Sequence, residues 1–338
     1  MNSRRTDPNR PGEFELIARL FAPLTRKFPG ACGLEDDVAY LALTGGLVRT
    51  GEELVLKTDA LVSGVHFLSD DPADLVARKL LRVNLSDLAA KGARPLVYLL
   101  ALMLPASLGY DWLEGFARGL QEDQDEFGIV LAGGDMDATP GPLALSLSAV
   151  GAIPAGQRLL RSAAKVGDLV FVSGTIGDGA LGIAAISGRV TGAPQSDLDF
   201  LAGRYRLPLP RLALGQRLRG LVHATMDISD GLVGDLQHIC ETSHVGAQIE
   251  ADRVPLSDPA RAALGNDPGL IETVLGGGDD YELLFTASPS HEDALISLGR
   301  EVGVPVTRIG SIGSGSGVRV IGRDGSEIML ARAGYRHF

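Results

Sequence analysis

Between Leu54 and Gly92 the hydrophobic pattern changes its period. Leu54-Val55-Leu56-Lys57-Thr58-Asp59 is an apolar run of strand length that ends on Thr and Asp. A short Gly-containing turn follows and carries His66 in Val65-His66-Phe67. A helix comes next. Pro72 suits its first turn behind Asp70 and Asp71, and Gly92 followed by Pro95 marks its stop. At about 100° per residue, Val76, Leu80 and Val83 share one face, and Asp87 falls on that face too. A carboxylate on an apolar stripe is expensive unless it is paired or bound to a metal. Thr58, Asp59 and Asp87 are therefore oxygen donors that could converge.

The remaining pattern predicts an alternation of helices and strands. Glu13 to Phe21 reads as a packing helix ending near Pro23, and Glu35-Asp36-Asp37 as an acidic turn before Val38. Leu96 to Leu104 is a strand closed by Pro105, and Trp112 to Phe127 an amphipathic helix. Ile129 to Ala132 is a short buried strand running into Gly133-Gly134-Asp135 and then a loop through Pro142. Leu143 to Val150 alternates as a strand. Gly151 to Gly156 reads as a domain boundary. Beyond it, Leu169 to Val172 is a strand, and Ser173 to Gly179 opens a helix from Ala180. Residues 188–200 are polar and read as a loop. Met226-Asp227-Ile228-Ser229-Asp230-Gly231 precedes a helix through Ile239, with Ser229 or Asp230 as its N-cap. Leu275 to Glu282 leads into the strand Leu283 to Thr286. This alternation, with hairpin-like pieces, predicts α/β and α+β domains and not a doubly wound sheet.

Length and charge narrow the picture. A chain of 338 residues suits two domains, 13–152 and 153–338, behind a polar arm over 1–12. Apolar residues make up 45%, as in a globular protein. No apolar run approaches the roughly 20 residues of a membrane helix. The formal net charge of −11 argues against a broad nucleic-acid surface, which needs a basic stripe. Cys32 and Cys240 read as reduced thiols of a cytoplasmic protein, because the N-terminus lacks the apolar core of a signal peptide.

Several chemistries are missing from the motifs. There is no P-loop, no zinc spacing and no Gly-x-Ser-x-Gly elbow. Gly174 to Gly179 is either a phosphate cradle at a helix start or a plain turn. His238 and His244 read as solvated or packed. Acids recur at element ends instead: Asp37, Asp59, Asp87, Asp135, Asp227, Asp230 and Asp279. Any one of them suits a turn or cap. Should they converge, two carboxylates about 5 Å apart repel by roughly 3 kcal/mol at an effective dielectric near 20. Four or more would need cations or raised pKa values. Hard oxygen donors favour Mg²⁺, which commonly serves a nucleotide phosphate.

Thr58 to Phe67, Asn84 to Pro95, Gly133-Gly134-Asp135 and Arg161-Ser162 before Gly167-Asp168 together resemble the thiamine-monophosphate kinase family. So do Asp227-Ile228-Ser229-Asp230-Gly231, Asp280-Tyr281-Glu282-Leu283 and the ending Gly334-Tyr335-Arg336-His337-Phe338. The resemblance implies the two-domain aminoimidazole ribonucleotide synthetase-like fold, with an N-terminal α/β sheet that forms a dimer barrel and an α+β C-terminal domain. It implies ATP-dependent phosphorylation of thiamine monophosphate to thiamine diphosphate. By motif match, Asp37, Thr58, Asp59, Asp87, Asp135, Asp227 and Asp230 would hold Mg²⁺. Gly134, Asp135, Arg161 and Ser229 would lie at ATP, and His66, Asp279 and Tyr335 at the thiamine phosphate. No side chain is assigned as a catalytic acid or base, since the acceptor is already an anion. The chain departs from the family pattern at Glu35 for Gly, Lys57 for Ser, Asp279 for Glu, and Met136 to Pro142 for a shorter Arg-containing loop. Two rivals remain: another ATP-dependent superfamily enzyme, such as a selenophosphate synthetase using Cys32, or a nucleotide-binding protein that no longer transfers phosphate.

Overall fold

The computed structural model describes residues 13–34 and 47–335. Asp37 and the Glu35-Asp36-Asp37 turn lie outside the described residues, as do residues 1–12 and 336–338. The chain divides into two compact units, one of residues 1–88 and 94–155, the other of residues 89–93 and 156–338.

Among the described residues the first unit is built on four strands, β1 (Glu52–Val62), β2 (Arg94–Pro105), β3 (Val130–Thr139) and β4 (Ala144–Pro154), in the order β1-β4-β2-β3. β4 pairs antiparallel with β1 and β2, and β2 pairs parallel with β3. Alternation gives the sheet two unlike faces. Leu61, Leu145, Leu147, Leu100 and Leu102 are buried on one, while Leu54, Leu56 and Leu99 are exposed on the other. The helix Ala73–Ala90 forms where its ends predict. Val76, Leu80 and Val83 are buried together, and Asp87 at the end of that stripe is only partly covered.

Three readings change. The helix read over Glu13 to Phe21 is an α turn (Glu13–Leu16), then a π segment (Ile17–Phe21), with a 3₁₀ turn (Ala22–Thr25) that accommodates Pro23 at its start. β3 does not stop at Ala132. It continues through Gly133-Gly134-Asp135 to Thr139, and the pairing slips by one residue beside Tyr98 and Leu99. Glycine is what permits this, since a Cβ on Gly134 would collide with the Leu100 carbonyl. β4 also outlasts Val150 and runs to Pro154, and the division between the two units falls between Ala155 and Gly156, inside the boundary read over Gly151 to Gly156.

The second unit has six strands: β5 (Leu169–Ser173), β6 (Ala224–Asp227), β7 (Gly246–Glu250), β8 (Leu283–Ala287), β9 (Val306–Gly313) and β10 (Gly317–Ile321). Their order is β10-β7-β9-β5-β8-β6, and only β10 and β7 run parallel. Val170, Val172, Ile228, Leu232, Leu236 and Ile309 are among its core residues. Residues 188–200 are not all loop, because Gln195–Arg206 is a helix behind Pro194. Its Leu201 and Tyr205, four apart, are buried, and Leu201 joins a second core with Leu181 and Val274. That spacing lies wholly beyond residue 200, so the polar start conceals it.

A buried ion network joins Ala73–Ala90 to the helix Tyr110–Phe127. Asp123 accepts from Arg82 Nε at 2.7 Å and Nη2 at 2.9 Å, and from Arg78 Nε at 2.8 Å. Arg82 and Asp123 are almost fully covered. Removing one partner leaves a buried charge uncompensated. Asp123→Ala is therefore expected to lower unfolding stability by about 3–5 kcal/mol. Urea denaturation of both proteins measures it, and a loss below about 1 kcal/mol, the range of an exposed pair, would mean that water reaches the network.

Candidate functional site

The first unit gathers Lys57, Asp59, Asp87 and His66. Lys57 and Asp59 are two apart on β1 and so share a face. Lys57 Nζ lies 2.7 Å from Asp87 Oδ2 and 3.1 Å from Asp59 Oδ1. Their side chains are 27%, 37% and 28% exposed for Lys57, Asp59 and Asp87, so the group meets solvent. Burial alone would lower the Lys57 pKa, but Asp87 and then Asp59 outweigh it and the ammonium is held above its ordinary range. Asp59 is raised, chiefly by burial and then by Asp87, against the pull of Lys57 and His66. His66 Nδ1 accepts the Val62 N–H at 3.1 Å. A neutral imidazole in that bond carries its proton on Nε2.

Two other predicted residues of this unit sit elsewhere. The Thr58 hydroxyl donates to Leu147 O at 3.2 Å and accepts from Ser148 Oγ at 3.0 Å. Strand alternation sends it to the face opposite Asp59, so the hydroxyl does not join Asp59 and Asp87. Asp135 is exposed at the other edge of the sheet. The pairing aligns Ala60, Ser146, Ala101 and Asp135 in one row, which spans three strand spacings, about 14 Å. That row belongs to the open face carrying Thr58. Gly134 stands one row over, in line with Asp59, Leu147 and Leu100.

The second unit brings Asp227, Ser229, Asp230, Asp279 and Tyr335 together through backbone hydrogen bonds. Asp227 ends β6 and is buried. Asp279 N–H donates to Ser229 O at 2.9 Å, and Tyr335 N–H to Asp230 O at 2.9 Å. Asp279 and Tyr281 adopt left-handed backbone, with φ of 67° and 53°, and Tyr281 Oη donates to Asp279 Oδ1 at 3.1 Å. A Cβ on Gly278 would collide with the Ser229 carbonyl, so glycine allows the two loops to touch. The Arg161 carbonyl accepts from Thr242 and Ser243, at the far end of the helix Leu232–Ser243, and its neighbour Leu160 bonds to Thr225 of β6.

Neither Ser229 nor Asp230 caps that helix. Gly231 is its N-cap, with φ 127°, and no side chain bonds there as a cap. Asp235, inside the first turn, does the work. Its Oδ2 accepts N–H bonds from Ser229 at 3.0 Å, Asp230 at 3.0 Å and Gly231 at 3.1 Å. Burial, then Asp227 and Asp230, push its carboxyl well above the ordinary range. The sequence alone does not single out Asp235, which reads there as a helix residue. Its ligand atoms, those of Asp230 and those of His238 lie within 4.8 Å of one another. Two carboxylates and an imidazole thus meet near the start of one helix, with Asp227 close enough to raise Asp235, an arrangement that a divalent cation would relieve.

The glycine-rich segment Gly174 to Gly179 is already filled. Asp280 Oδ2 accepts from Gly177 N–H at 2.7 Å and Oδ1 from Gly179 N–H at 3.0 Å. A buried carboxylate of the chain occupies the donors that a phosphate would use, so the segment is no open cradle. Beside it, Glu282 is buried and accepts from Arg211 Nε at 2.7 Å, Arg204 Nη2 at 3.1 Å and Ser173 Oγ at 2.5 Å.

Comparison with known proteins bears on both units. A family model described as AIR synthase related protein, N-terminal domain, matches residues 35–153, and one for the C-terminal domain matches residues 165–323. The thiamine-monophosphate kinase of Caulobacter vibrioides is 43% identical over 97% of this chain and 91% of its own length. That of Escherichia coli K12 is 42% identical over 97% and 98%. The crystal structure of thiamine-monophosphate kinase from Stenotrophomonas maltophilia K279a superposes with a TM-score of 0.81 at 42% identity, covering 94% of this chain and 98% of that one. AaThiL complexed with AMPPCP and TMP gives 0.74 at 30% identity over 97% of each chain. The hydrogenase maturation protein HypE of E. coli shares the fold at 0.76 with 22% identity, over 95% and 98%.

The buried Asp280 carries a pH signature. Burial first, and Asp178 after it, push its carboxyl up to about 8, against Gly177 and Gly179 N–H and Arg204. The folded chain then keeps a proton that the unfolded chain has lost above about pH 4. The stability from that proton is whole below the unfolded value and falls as pH rises toward about 8, by roughly 1.4 kcal/mol per pH unit. Asp280→Asn does not titrate. The stability gap between wild type and Asp280→Asn is expected to narrow between about pH 5 and about pH 8 in denaturant titrations. A gap that stays constant would place the Asp280 proton elsewhere.

Proposed function

The chain belongs to the thiamine-monophosphate kinase family, and on that premise we propose that it transfers the γ-phosphoryl group of ATP to thiamine monophosphate, giving thiamine diphosphate and ADP. The observation that carries this reading is the pair of carboxylate groups on family-matched residues, Asp59 with Asp87 in one unit and Asp227 with Asp230 in the other. The acceptor oxygen is already anionic, so positioning and charge neutralisation do most of the work. Mg²⁺ when bound supplies that neutralisation. The donor set fits it: Asp59, Asp87, Asp227 and Asp230 offer hard oxygens, Asp235 supports the last two, and Asp37 would add one by motif match, whereas Thr58 and Asp135 stand on the opposite face of the sheet from Asp59.

Gly134, Asp135, Arg161 and Ser229 would contact ATP. His66, Asp279 and Tyr335 would contact the thiamine phosphate, and the Nε2–H of His66 suits a phosphate oxygen. The left-handed backbone at Asp279 and its bond to Tyr281 keep that carboxylate in place although it is one methylene shorter than the usual Glu. Among the described residues no helix is long and apolar enough to cross a membrane, which accords with a cytoplasmic enzyme.

The same reading includes a homodimer joined through the open face of the first sheet. Leu56 is 74% exposed there, with Leu54 at 37% and Leu99 at 46%. Large apolar side chains exposed on one sheet face favour a partner over water. Leu56→Glu is expected to reduce the mass seen by sedimentation equilibrium from two chains to one. A wild-type protein that sediments as one chain would remove the dimer.

The decisive assay couples ADP release to product analysis, with thiamine monophosphate, thiamine and aminoimidazole precursors compared side by side. Thiamine diphosphate is expected from the first alone. Asp59→Asn and Asp87→Asn at saturating Mg²⁺ are each expected to lose about 100-fold or more in turnover, the scale on which electrostatic stabilisers act. Near wild-type rates in both would sink the metal-assisted mechanism. Bound ATP with no thiamine diphosphate would identify a nucleotide-binding protein that has lost transfer.

A further inference from the structure

Lys57 is a charged group that the proposed mechanism leaves without a task. It stands where the family resemblance leads one to expect a small neutral Ser, and it shares the face of β1 with Asp59. Its Nζ lies between two carboxylates, 2.7 Å from Asp87 Oδ2 and 3.1 Å from Asp59 Oδ1. Both are ordinary distances for charge-assisted N–H···O bonds. A Mg²⁺ bridging the same oxygens would draw them in to about 2.0–2.1 Å and would keep its own waters. The charged ammonium has three donors and no lone pair, so it cannot act as a ligand. One position between Asp59 and Asp87 thus has two competing cations.

Resting on the metal-nucleotide reading above, the geometry points to Lys57 as a built-in cation that takes the place of one divalent ion between Asp59 and Asp87. The two carboxylates carry two negative charges and Lys57 returns one positive charge to them. The chain then engages nucleotide with fewer divalent ions at this pair than a relative with a neutral residue there. The ions held through Asp227 and Asp230 are untouched by this substitution.

The test counts bound ions without turnover. Mn²⁺ alone is titrated into the full chain, and free Mn²⁺ is read by electron paramagnetic resonance. Lys57→Ser is expected to hold about one ion more per chain than wild type. The double variant Lys57→Ser, Asp59→Asn should return to the wild-type count, which locates the added ion at this pair. Equal counts in wild type and Lys57→Ser overturn the proposal, because the ammonium then moves aside for the ion or the pair holds none. Lys57→Gln removes the charge while keeping a long stem, and it serves the same comparison if the serine variant does not fold. The count involves no thiamine compound. If wild type makes no thiamine diphosphate while Lys57→Ser gains the ion, the kinase reading is overturned and this one stands.

Discussion

Two buried carboxylates in the second unit perform one physical task, which is to accept backbone N–H groups that loops leave without partners. Asp280 takes those of Gly177 and Gly179, and Asp235 takes those of Ser229, Asp230 and Gly231. The segment bearing Asp280 also lends the N–H groups of Asp279 and Tyr281 to Ser229 and Ile228, and takes the Ile228 N–H on Glu282 O. The Asp227–Gly231 loop is thereby gripped from two sides. Each left-handed non-Gly residue, Asp279 and Tyr281, costs about 1–2 kcal/mol. Hydrogen bonds contribute roughly 0.5–1.5 kcal/mol each, and the several that grip this loop together outweigh the strain. The loop geometry that presents Asp227 and Asp230 depends on this surplus.

The parts of the molecule legible in the sequence are those with a local cause. The helix Ala73–Ala90 is visible because Pro72, the 3.6 period and Gly92 lie within it or next to it. β1, β2 and the helix Tyr110–Phe127 follow from short-range pattern for the same reason. β3 past Ala132 was hidden, since Gly-Gly-Asp reads as a turn until the Leu100 carbonyl is seen pressed against Gly134. Asp280 is hidden by distance along the chain, and Asp235 by the unusual span of its bonds. The partners of Asp280 are 101 and 103 residues away. Asp235 bonds to donors four to six residues before it, outside the reach of ordinary N-cap chemistry.

The candidate site shows the same limit in another form. Spacing presents seven acids at element ends as equivalents. The sheet order then sets Asp135 across the sheet from β1, and strand alternation turns the Thr58 hydroxyl away from Asp59. Neither fact depends on residue type. Both come from which strands are neighbours, and β1 meets β4 only after more than 80 residues of chain.

Charge explains why the carboxylates of the two units are unlike. A carboxylate removed from water needs a cation, N–H donors or a proton, and this chain uses each. Asp123 and Glu282 have guanidinium partners, Asp280 has N–H donors and a raised pKa, and Asp59 with Asp87 share Lys57. Asp235 has N–H donors too, yet burial first, and then Asp227 and Asp230, press its carboxyl upward. The share owed to Asp227 and Asp230 is negative charge repelling negative charge, and a divalent cation reverses that share. The second unit is therefore where a metal gains most from what the chain already provides. At Asp59 and Asp87 the ammonium has taken part of that gain beforehand.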